Sequence, residues 1–398
     1  MMLVEAWGLE FIKGFGRFFM QPLLYYAIFL AWLFGLLRVK RERKDFHVRV
    51  YDGWLDIRSL FSSGIWLGML LSLVAIGAGM VVTKDVIALI AWSTVLLSLT
   101  LQARFLSPAY TLSVAIFGTS FLARSEWTKP LFASWFPTLA EANVTTVALL
   151  LSFLLVIEAI LIEKYGGQKT SPRLTVSKRG LVIGEHLSQK LWLVPVLLLV
   201  PGEGIRSFVS WWPIFSIGEQ TYSLMLVPFL LGFSQRTQTM HPAALAKWTG
   251  RRVYLLAVLL LLLAVGSYWF QPLAIVVAAL AIIGREWISL AARLYEQQRT
   301  PYFTKRKDGL VILGILPATP AEKMALQVGE VIAKVNGIAV RTETEFYEAL
   351  QRNRAFCKLE VLNEAGEVRF VQSAWFEGEH HELGLLFVPN EHMDANVG

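Results

Sequence analysis

The sequence predicts an α-helical region with many membrane spans, followed by a small α+β domain at its C-terminal end. The chain has 398 residues and is 55% hydrophobic and 17% charged, whereas soluble domains are about 45–50% apolar and about 25% charged. Long apolar segments stop near residue 284, and shorter elements separated by turns follow. Charge divides in the same way, because residues 305–398 carry 10 Lys and Arg against 14 Asp and Glu, and residues 1–304 carry 27 against 16. These observations indicate an N-terminal part that lies in the lipid bilayer and a C-terminal part that lies in water.

The apolar segments are the candidate membrane spans, since a helix needs about 20 apolar residues to cross a bilayer. They occupy residues 23–37, 62–82, 86–103, 105–123, 144–162, 191–201, 222–233, 253–270 and 272–284. The segments 191–201 and 222–233 are short, so a re-entrant or interfacial placement stays open for them. We therefore predict an α-helical polytopic domain over residues 1–284 with about six to nine spans.

Basic residues predict how these spans are oriented, because Lys and Arg concentrate in cytoplasmic loops. One set of loops carries 18 of them, and it consists of residues 38–58, 163–190, 234–252 and the turn at Arg104. The alternating loops carry four. Nine crossings with the N-terminus outside fit every loop, although Lys13 and Arg17 argue mildly against that side for the N-terminus. The C-terminal part is expected in the cytoplasm, and the net charge of +7 reflects topology rather than nucleic-acid binding.

Polar residues inside the predicted spans are few. Glu158 lies near the end of the fifth span, and we expect its carboxylate to reach the interface. Arg104 is interpreted as a turn residue. Gly64 and Gly68 form a small face that favours close packing within the chain. Because no series of Asp, Glu or His could relay protons, the sequence gives transport little support.

Catalytic patterns do not occur in the sequence. None of the six histidines belongs to an H-E-x-x-H helix, and there is no G-x-S-x-G elbow, P-loop or dinucleotide fingerprint. The single cysteine, Cys357, excludes an intramolecular disulfide and is interpreted as a core residue. The sequence thus predicts no enzyme, no cofactor, no metal and no catalytic residue.

After the last span, residues 285–307 are predicted to be a polar juxtamembrane linker helix. Short strands and helices then alternate over about 80 residues. Strands are predicted at 310–316, 331–335, 356–362, 368–374 and 383–388, and helices at 321–325 and 343–352. Phe346 and Leu350 are four residues apart and supply the buried stripe of the second helix.

Three ordered motifs carry a resemblance in this part. They are PATPAEK at 317–323, ALQVGEVI at 325–332 and VNG at 335–337. Residues 310–388 thereby resemble a bacterial PDZ domain, which gives a cytoplasmic domain at 308–390 and a tail at 391–398. Thr319, Ala325 and Glu330 replace the commonest residues of the pattern conservatively.

The PDZ resemblance implies a peptide-binding site. The loop would consist of Glu382, Leu383, Gly384, Leu385 and Leu386, at the end of the domain as in permuted bacterial PDZ domains. Its backbone N–H groups would capture a peptide terminus or backbone, and the peptide would add as a strand. Tyr347, on the helix at 343–352, would line the groove. The alternative is that the last strand only closes the sheet.

The whole chain resembles the MinJ family of cell-division topology proteins. Chain length, the order of parts and the stretch from Leu198–Pro201 through Val227–Phe233, with its two Val-Pro kinks, carry this resemblance. It implies a membrane scaffold at cell poles and the division septum. The implied partners are a DivIVA-type polar and septal protein, MinD together with MinC, other divisome membrane proteins and the lipid bilayer, with no nucleic acid.

Two alternatives remain at this stage. An inactive relative of site-2 proteases would also join spans to a PDZ domain and bind substrate without the zinc motif. A transporter with a regulatory PDZ domain would show an internal inverted repeat of apolar segments. The kinked segments around Pro195, Pro201 and Pro228 resemble broken helices, but no convincing repeat accompanies them.

Overall fold

The structure is a computed structural model that describes residues 2–124, 135–177, 180–206, 211–215, 221–352, 356–363, 366–374 and 383–389. Its N-terminal region, residues 2–297, is called the body. The helices of the body are α1 Met2–Phe19, α2 Pro22–Phe46, α3 Leu55–Ser62, α4 Gly64–Gly77, α5 Lys84–Ser98, α6 Pro108–Arg124, α7 Val144–Tyr165, α8 Pro242–Gly266 and α9 Leu273–Gln297.

Five helical segments in the described part of the body are long and apolar enough to cross a membrane. They are Pro22–Phe46, Leu55–Gly77, Val144–Tyr165, Pro242–Gly266 and Leu273–Gln297. Large apolar side chains face outward between them, such as Trp66 at 72% and Leu73 at 71% exposure. A soluble protein would hide such surfaces, so these segments indicate insertion in a membrane.

The segments 191–201 and 222–233 are strands, so their prediction as helical spans is wrong. Strand β2, Val182–Ile205, pairs antiparallel with β3, Tyr222–Thr237, and the short β1, Ser171–Val176, joins the other side of β2. Pro195 stands opposite Pro228 in this register. Proline breaks the interior of a helix but is accepted on the edge of a sheet. Continuous apolar runs of about ten residues also fit a strand that is buried on both faces.

The outward edge of β2 packs against α4, and this contact depends on the two glycines of the predicted small face. A Cβ at Gly64 would overlap the carbonyl oxygen of Leu193, and one at Gly68 would overlap that of Pro195. The hydroxyl of Ser72 accepts a hydrogen bond from the backbone N–H of Leu197 at 2.8 Å. The small face therefore packs within the chain as predicted, but its partner is a strand rather than a helix.

The outward edge of β3 is covered by the N-terminal segment. Arg17, near the end of α1, donates from Nη1 to the carbonyl of Leu224 at 2.8 Å. Gln21 donates from Nε2 to the carbonyl of Leu226 at 2.7 Å. Backbone groups away from water need partners inside the protein, and the helices around this hairpin supply them.

The core of the body surrounds α7, and 83% of the residues in the most apolar stretch of this helix are buried. Leu150, Leu151 and Leu154 are fully buried and belong to a cluster that also includes Trp192 and Phe233 of the hairpin. Helices and hairpin therefore share one core, and the hairpin is an internal element of the body.

Residues 310–389 form a second, sheet-rich unit that we call the C-terminal module. Its strands are β4 Leu310–Ile315, β5 Val331–Val335, β6 Ile338–Ala339, β7 Phe356–Leu362, β8 Val368–Ala374 and β9 Leu385–Phe387, and its helices are α10 Pro320–Lys323 and α11 Glu343–Gln351. The described strands are ordered β8-β7-β5-β4-β9, with β6 beside β5. The predicted change from long helices to a mixed sheet is confirmed, and Cys357 is a buried core residue as predicted.

The C-terminal module packs against one end of the body, which we call the module end. Leu174 of β1 and Phe303 share an apolar cluster with Val311 and Leu313 of β4. The backbone N–H of Gly184 donates to the carbonyl of Phe303 at 2.8 Å. Helix α9 approaches this junction without interruption, so the predicted boundary between residues 284 and 285 falls inside a helix.

Candidate functional site

Strand β9 stands at the end of the described sheet and is the candidate site. It pairs antiparallel with β4, with Leu385 opposite Ile315 and Phe387 opposite Ile312. On its other side the described part of the chain provides no strand. Such an edge can receive an additional strand from a partner, because its backbone groups point outward without a neighbour.

The two residues before β9 present backbone donors. The carbonyl of Leu383 accepts from the N–H of Ala321 at 3.1 Å, and that of Gly384 accepts from the N–H of Leu316 at 2.8 Å. Between residues that the structure describes, the N–H groups of Leu383 and Gly384 donate no hydrogen bond. Buried N–H groups require an acceptor, so the backbone of this loop can donate to a carbonyl or carboxylate oxygen.

Gly384 is required by the geometry of this loop. Its φ is +80°, a conformation that side chains with a Cβ adopt rarely. A Cβ at this position would also overlap the side chain of Thr319, which precedes α10. The glycine therefore allows the loop to pass close to the start of α10, where the carbonyl of Leu383 is bonded.

Helix α11 forms the wall beside β9. Its Phe346 ring contacts Phe387 of β9 edge to face, with 5.1 Å between the ring centroids. Thr342 caps the helix by accepting from the N–H of Glu345 at 3.2 Å. The Glu345 carboxylate in turn accepts from the backbone N–H of Arg341, and this bond lowers the pKa of Glu345. The helix is therefore fixed next to the open edge.

The structure brings most of the predicted site residues together. Leu383, Gly384, Leu385 and Leu386 are consecutive and buried, while Tyr347 is half-buried on α11. Glu382 lies outside the described residues. The side chains of Leu383 and Leu385 fill the core of the module, so the loop offers mainly its backbone. Peptide binding by these residues stays a prediction.

Cys357 is the single thiol of the chain and is fully buried on β7. Burial raises the pKa of this thiol to about 12, because the apolar surroundings disfavour the thiolate. The thiolate is the nucleophilic form, so this cysteine is inert at neutral pH.

The body contains one buried and one partly exposed ion pair that the sequence did not indicate. Glu158 is fully buried and accepts from Arg285 of α9 at 3.2 Å and from the hydroxyl of Ser107 at 2.5 Å. Arg104 pairs with Glu286 at 3.0 Å. The expectation that Glu158 reaches the interface is therefore wrong. Its partner was missed because Arg285 was assigned to a polar linker.

A junction between module and body is the second feature that sequence reasoning missed. Tyr302 donates from its backbone N–H to the carbonyl of Gln238 at 2.8 Å and from its hydroxyl to the carbonyl of Gly329 at 3.1 Å. Beside it lies a cleft of about 630 Å³ between the two units. The aromatic residues at 302 and 303, within the polar segment 285–307, were the feature of the sequence that could have indicated this contact.

His186 of β2 is buried at this junction. Its Nδ1 lies 2.9 Å from the hydroxyl of Thr170, and its ring is 4.9 Å from that of Phe303. Burial lowers the pKa of His186 to about 3, so the imidazole is neutral at physiological pH. In the described residues no group of three or more His, Cys, Asp or Glu could hold a metal ion.

Comparison with known proteins gives one consistent result. The chain is 40% identical over 391 residues to the cell division topological determinant MinJ of Bacillus subtilis (strain 168), and the match covers 98% of each chain. It is 25% identical over 375 residues to the probable cell division topological determinant MinJ of Lacticaseibacillus paracasei, covering 92% of this chain and 95% of the relative. No protein-family model and no solved structure matches the chain.

Proposed function

The chain belongs to the MinJ family of cell-division topological determinants, and on this premise we propose that it is a membrane scaffold. Its relatives support a role in division-site selection. In the proposed mechanism the scaffold bridges a DivIVA-type polar and septal protein to MinD, and through MinD to the inhibitor MinC. Other divisome membrane proteins are further partners. The inhibitor then acts near poles and recent septa, where division is blocked.

The open edge of β9 is the observation that carries this proposal. A scaffold needs a surface that holds a partner without changing it, and an edge strand beside a fixed helix provides one. The described strand order and the position of α11 fit a PDZ-type domain, in which a peptide adds between the edge strand and the helix. The backbone N–H groups of Leu383 and Gly384, which donate to no residue that the structure describes, would hold the end or backbone of that peptide.

Orientation is part of the same proposal. The module end of the body carries basic segments, including residues 38–46 at the end of α2 and residues 247–252 in α8. Lys and Arg of this kind mark the cytoplasmic side. The C-terminal module would therefore face the cytoplasm, where the soluble division proteins are.

The test is localisation of a fluorescent MinD in dividing cells. Removal of residues 308–398 is expected to disperse MinD from septa and to change cell length, because the inhibitor loses its position. The matched control removes only residues 391–398, which lie beyond the predicted domain. Normal MinD localisation and normal cell length after the larger deletion would contradict the proposed role of the module.

A second measurement separates the two partners. The full-length scaffold is expected to leave septa in cells that lack the DivIVA-type protein, whereas loss of MinD should not displace it. If the scaffold stays at septa without the DivIVA-type protein, it does not bridge that protein to MinD.

A further inference from the structure

A cavity of about 220 Å³ opens at the module end of the body, at the level where polar residues give way to the apolar spans. Its walls come from α3, from Ser63 between α3 and α4, from the end of α7 with the loop after it, and from β2. The lining residues are Leu55, Arg58, Ser59, Ser62, Ser63, Tyr165, Gln168, Lys169, Lys190 and Trp192. Three of them are basic and none is acidic, so the cavity favours an anion.

Lys190 is the central group of this cavity. It is only 9% exposed, and its ammonium donates to the backbone carbonyl of Lys169 at 3.2 Å. Among the described residues no carboxylate lies within ion-pair distance of it, and the nearby Asp56 is paired with Arg38 at 3.0 Å. A lysine has three donors, and a buried charge without a counter-ion is costly. An anion in the cavity would satisfy both needs.

The other two cations are available to the same ligand. Lys169 is exposed on the loop after α7. The Arg58 side chain is 75% exposed and its contact with Asp52 is loose, at 3.7 Å. An ion pair of this kind contributes little, so Arg58 can turn toward the cavity at small cost. The hydroxyls of Ser63 and Tyr165 add polar groups at the rim.

An apolar surface continues from the cavity along α4. Helix α4 begins directly after Ser63, which lines the cavity, and its Trp66, Leu70 and Leu73 lie at helical spacing and are each at least 60% exposed. Residues three or four apart share one face of a helix. A ligand with an anionic head and hydrocarbon chains fits this arrangement, whereas a free anion would leave the apolar face unused.

We propose that this cavity binds the phosphate-bearing head group of an anionic phospholipid, with Lys190, Lys169 and Arg58 as its contacts. The acyl chains lie along the exposed face of α4. Basic pockets between membrane helices recognise such head groups in this way. Arg58 and Lys169 also line the 630 Å³ cleft under the C-terminal module, so the bound lipid stands next to the junction between module and body.

The experiment uses the full-length protein in detergent and native mass spectrometry with added lipids. Phosphatidylglycerol is expected to remain bound at concentrations where phosphatidylcholine with the same chains does not. The double variant Arg58→Gln/Lys169→Asn should weaken phosphatidylglycerol binding at least about tenfold, given the attraction of each basic residue for anionic lipid. Both side chains are exposed, so this variant keeps the fold, which its unchanged thermal midpoint would verify. Lys190→Gln should weaken binding further.

The matched control is Lys247→Gln, since Lys247 is exposed on the same end of the body but lies outside the cavity. Three outcomes would overturn the proposal. Equal retention of both lipids would show that charge does not select the ligand. Displacement of phosphatidylglycerol by equimolar inorganic phosphate would identify a free-anion site. Equal binding by the double variant and by Lys247→Gln would show that Arg58 and Lys169 do not contact the lipid.

Discussion

In the sheet of the body, outward backbone groups of β2 and β3 meet side chains of the surrounding helices, whereas β9 of the C-terminal module faces no strand in the described part of the chain. Ser72, Arg17 and Gln21 supply partners in the first case. Water or a partner protein can supply them in the second. A sheet among membrane helices has no water to bond to, so its edges must be closed from within. An edge that no strand covers can instead pair with a strand of another chain.

Substitution of Gly68 by Ala is expected to have the largest effect on this difference. The new Cβ would overlap the carbonyl of Pro195, so α4 would have to separate from β2. We expect a loss of about 3 kcal/mol or more, the range for overpacking combined with broken buried contacts. Thermal unfolding in detergent measures it. Gly77→Ala on the same helix meets open space and should leave the midpoint nearly unchanged; equal midpoints for both variants would mean that α4 and β2 do not touch.

Gly384→Ala tests the open edge in the same manner. The positive φ and the overlap with Thr319 together should destabilise the module by about 2–4 kcal/mol. Gly366→Ala is the control, because its φ is also +80° but a Cβ there meets nothing. Protease resistance of the module in the intact protein should fall much more for the first variant. A similar fall in both would attribute the effect to the φ angle alone.

Ser72→Ala removes one of the side-chain hydrogen bonds to the edge of the body sheet without adding an atom. The N–H of Leu197 loses its acceptor, and an unpaired buried N–H costs about 1–3 kcal/mol. Ser152→Ala is matched to it, since both serines bond a carbonyl one turn earlier in their own helix and both are buried. We expect the thermal midpoint to drop further for Ser72→Ala. An equal drop would show that the bond from the N–H of Leu197 to Ser72 does not contribute to stability.

The junction between the two sheets should weaken in acid, and this is the smallest effect. The pKa of His186 is about 3 when it is buried, against 6.5 when it is free, so the unfolded state binds a proton first. The contribution of neutral, buried His186 to the free energy of unfolding is fully present above pH 6.5 and is lost as the pH falls toward 3. One unit below 6.5, at pH 5.5, the loss is about 1.4 kcal/mol.

Thermal midpoints of the wild type and of His186→Gln, recorded between pH 7.5 and 5.5, measure this contribution. The variant should show the shallower pH dependence. His47→Asn is the control, because His47 is exposed and its positive φ suits asparagine. If His186→Gln and His47→Asn follow the same pH curve, then His186 does not titrate at the junction.

Several features could be predicted because they depend on short stretches of chain. Apolar length identified the helices of the body, and alternating short elements identified the strands of the module. The loop at 383–386 and the helix at 343–352 were indicated by a motif resemblance, and the structure has that helix beside β9, where Phe346 contacts Phe387. The glycine pair at Gly64 and Gly68 indicated close packing, which is found.

Other features depend on residues far apart in the chain. Apolar runs of 11 and 12 residues do not reveal whether they are short spans or paired strands, since both states bury the same side chains. Only the register of Pro195 opposite Pro228 and the partners at each edge made the hairpin favourable. In the same way, Glu158 and Arg285 are 127 positions apart, so only the packing of the helices brings these two side chains together.

The sequence by itself determined the two-part architecture, because hydrophobicity and charge are properties of local composition. The tertiary structure decided which backbone groups at the strand edges have hydrogen-bond partners among the described residues and which do not. That choice depends on what each strand edge meets in three dimensions: helices in the apolar body, and no described strand beside β9 in the C-terminal module. The cluster of Lys190, Lys169 and Arg58 was decided in the same way, since β2, the loop after α7 and α3 converge on one cavity.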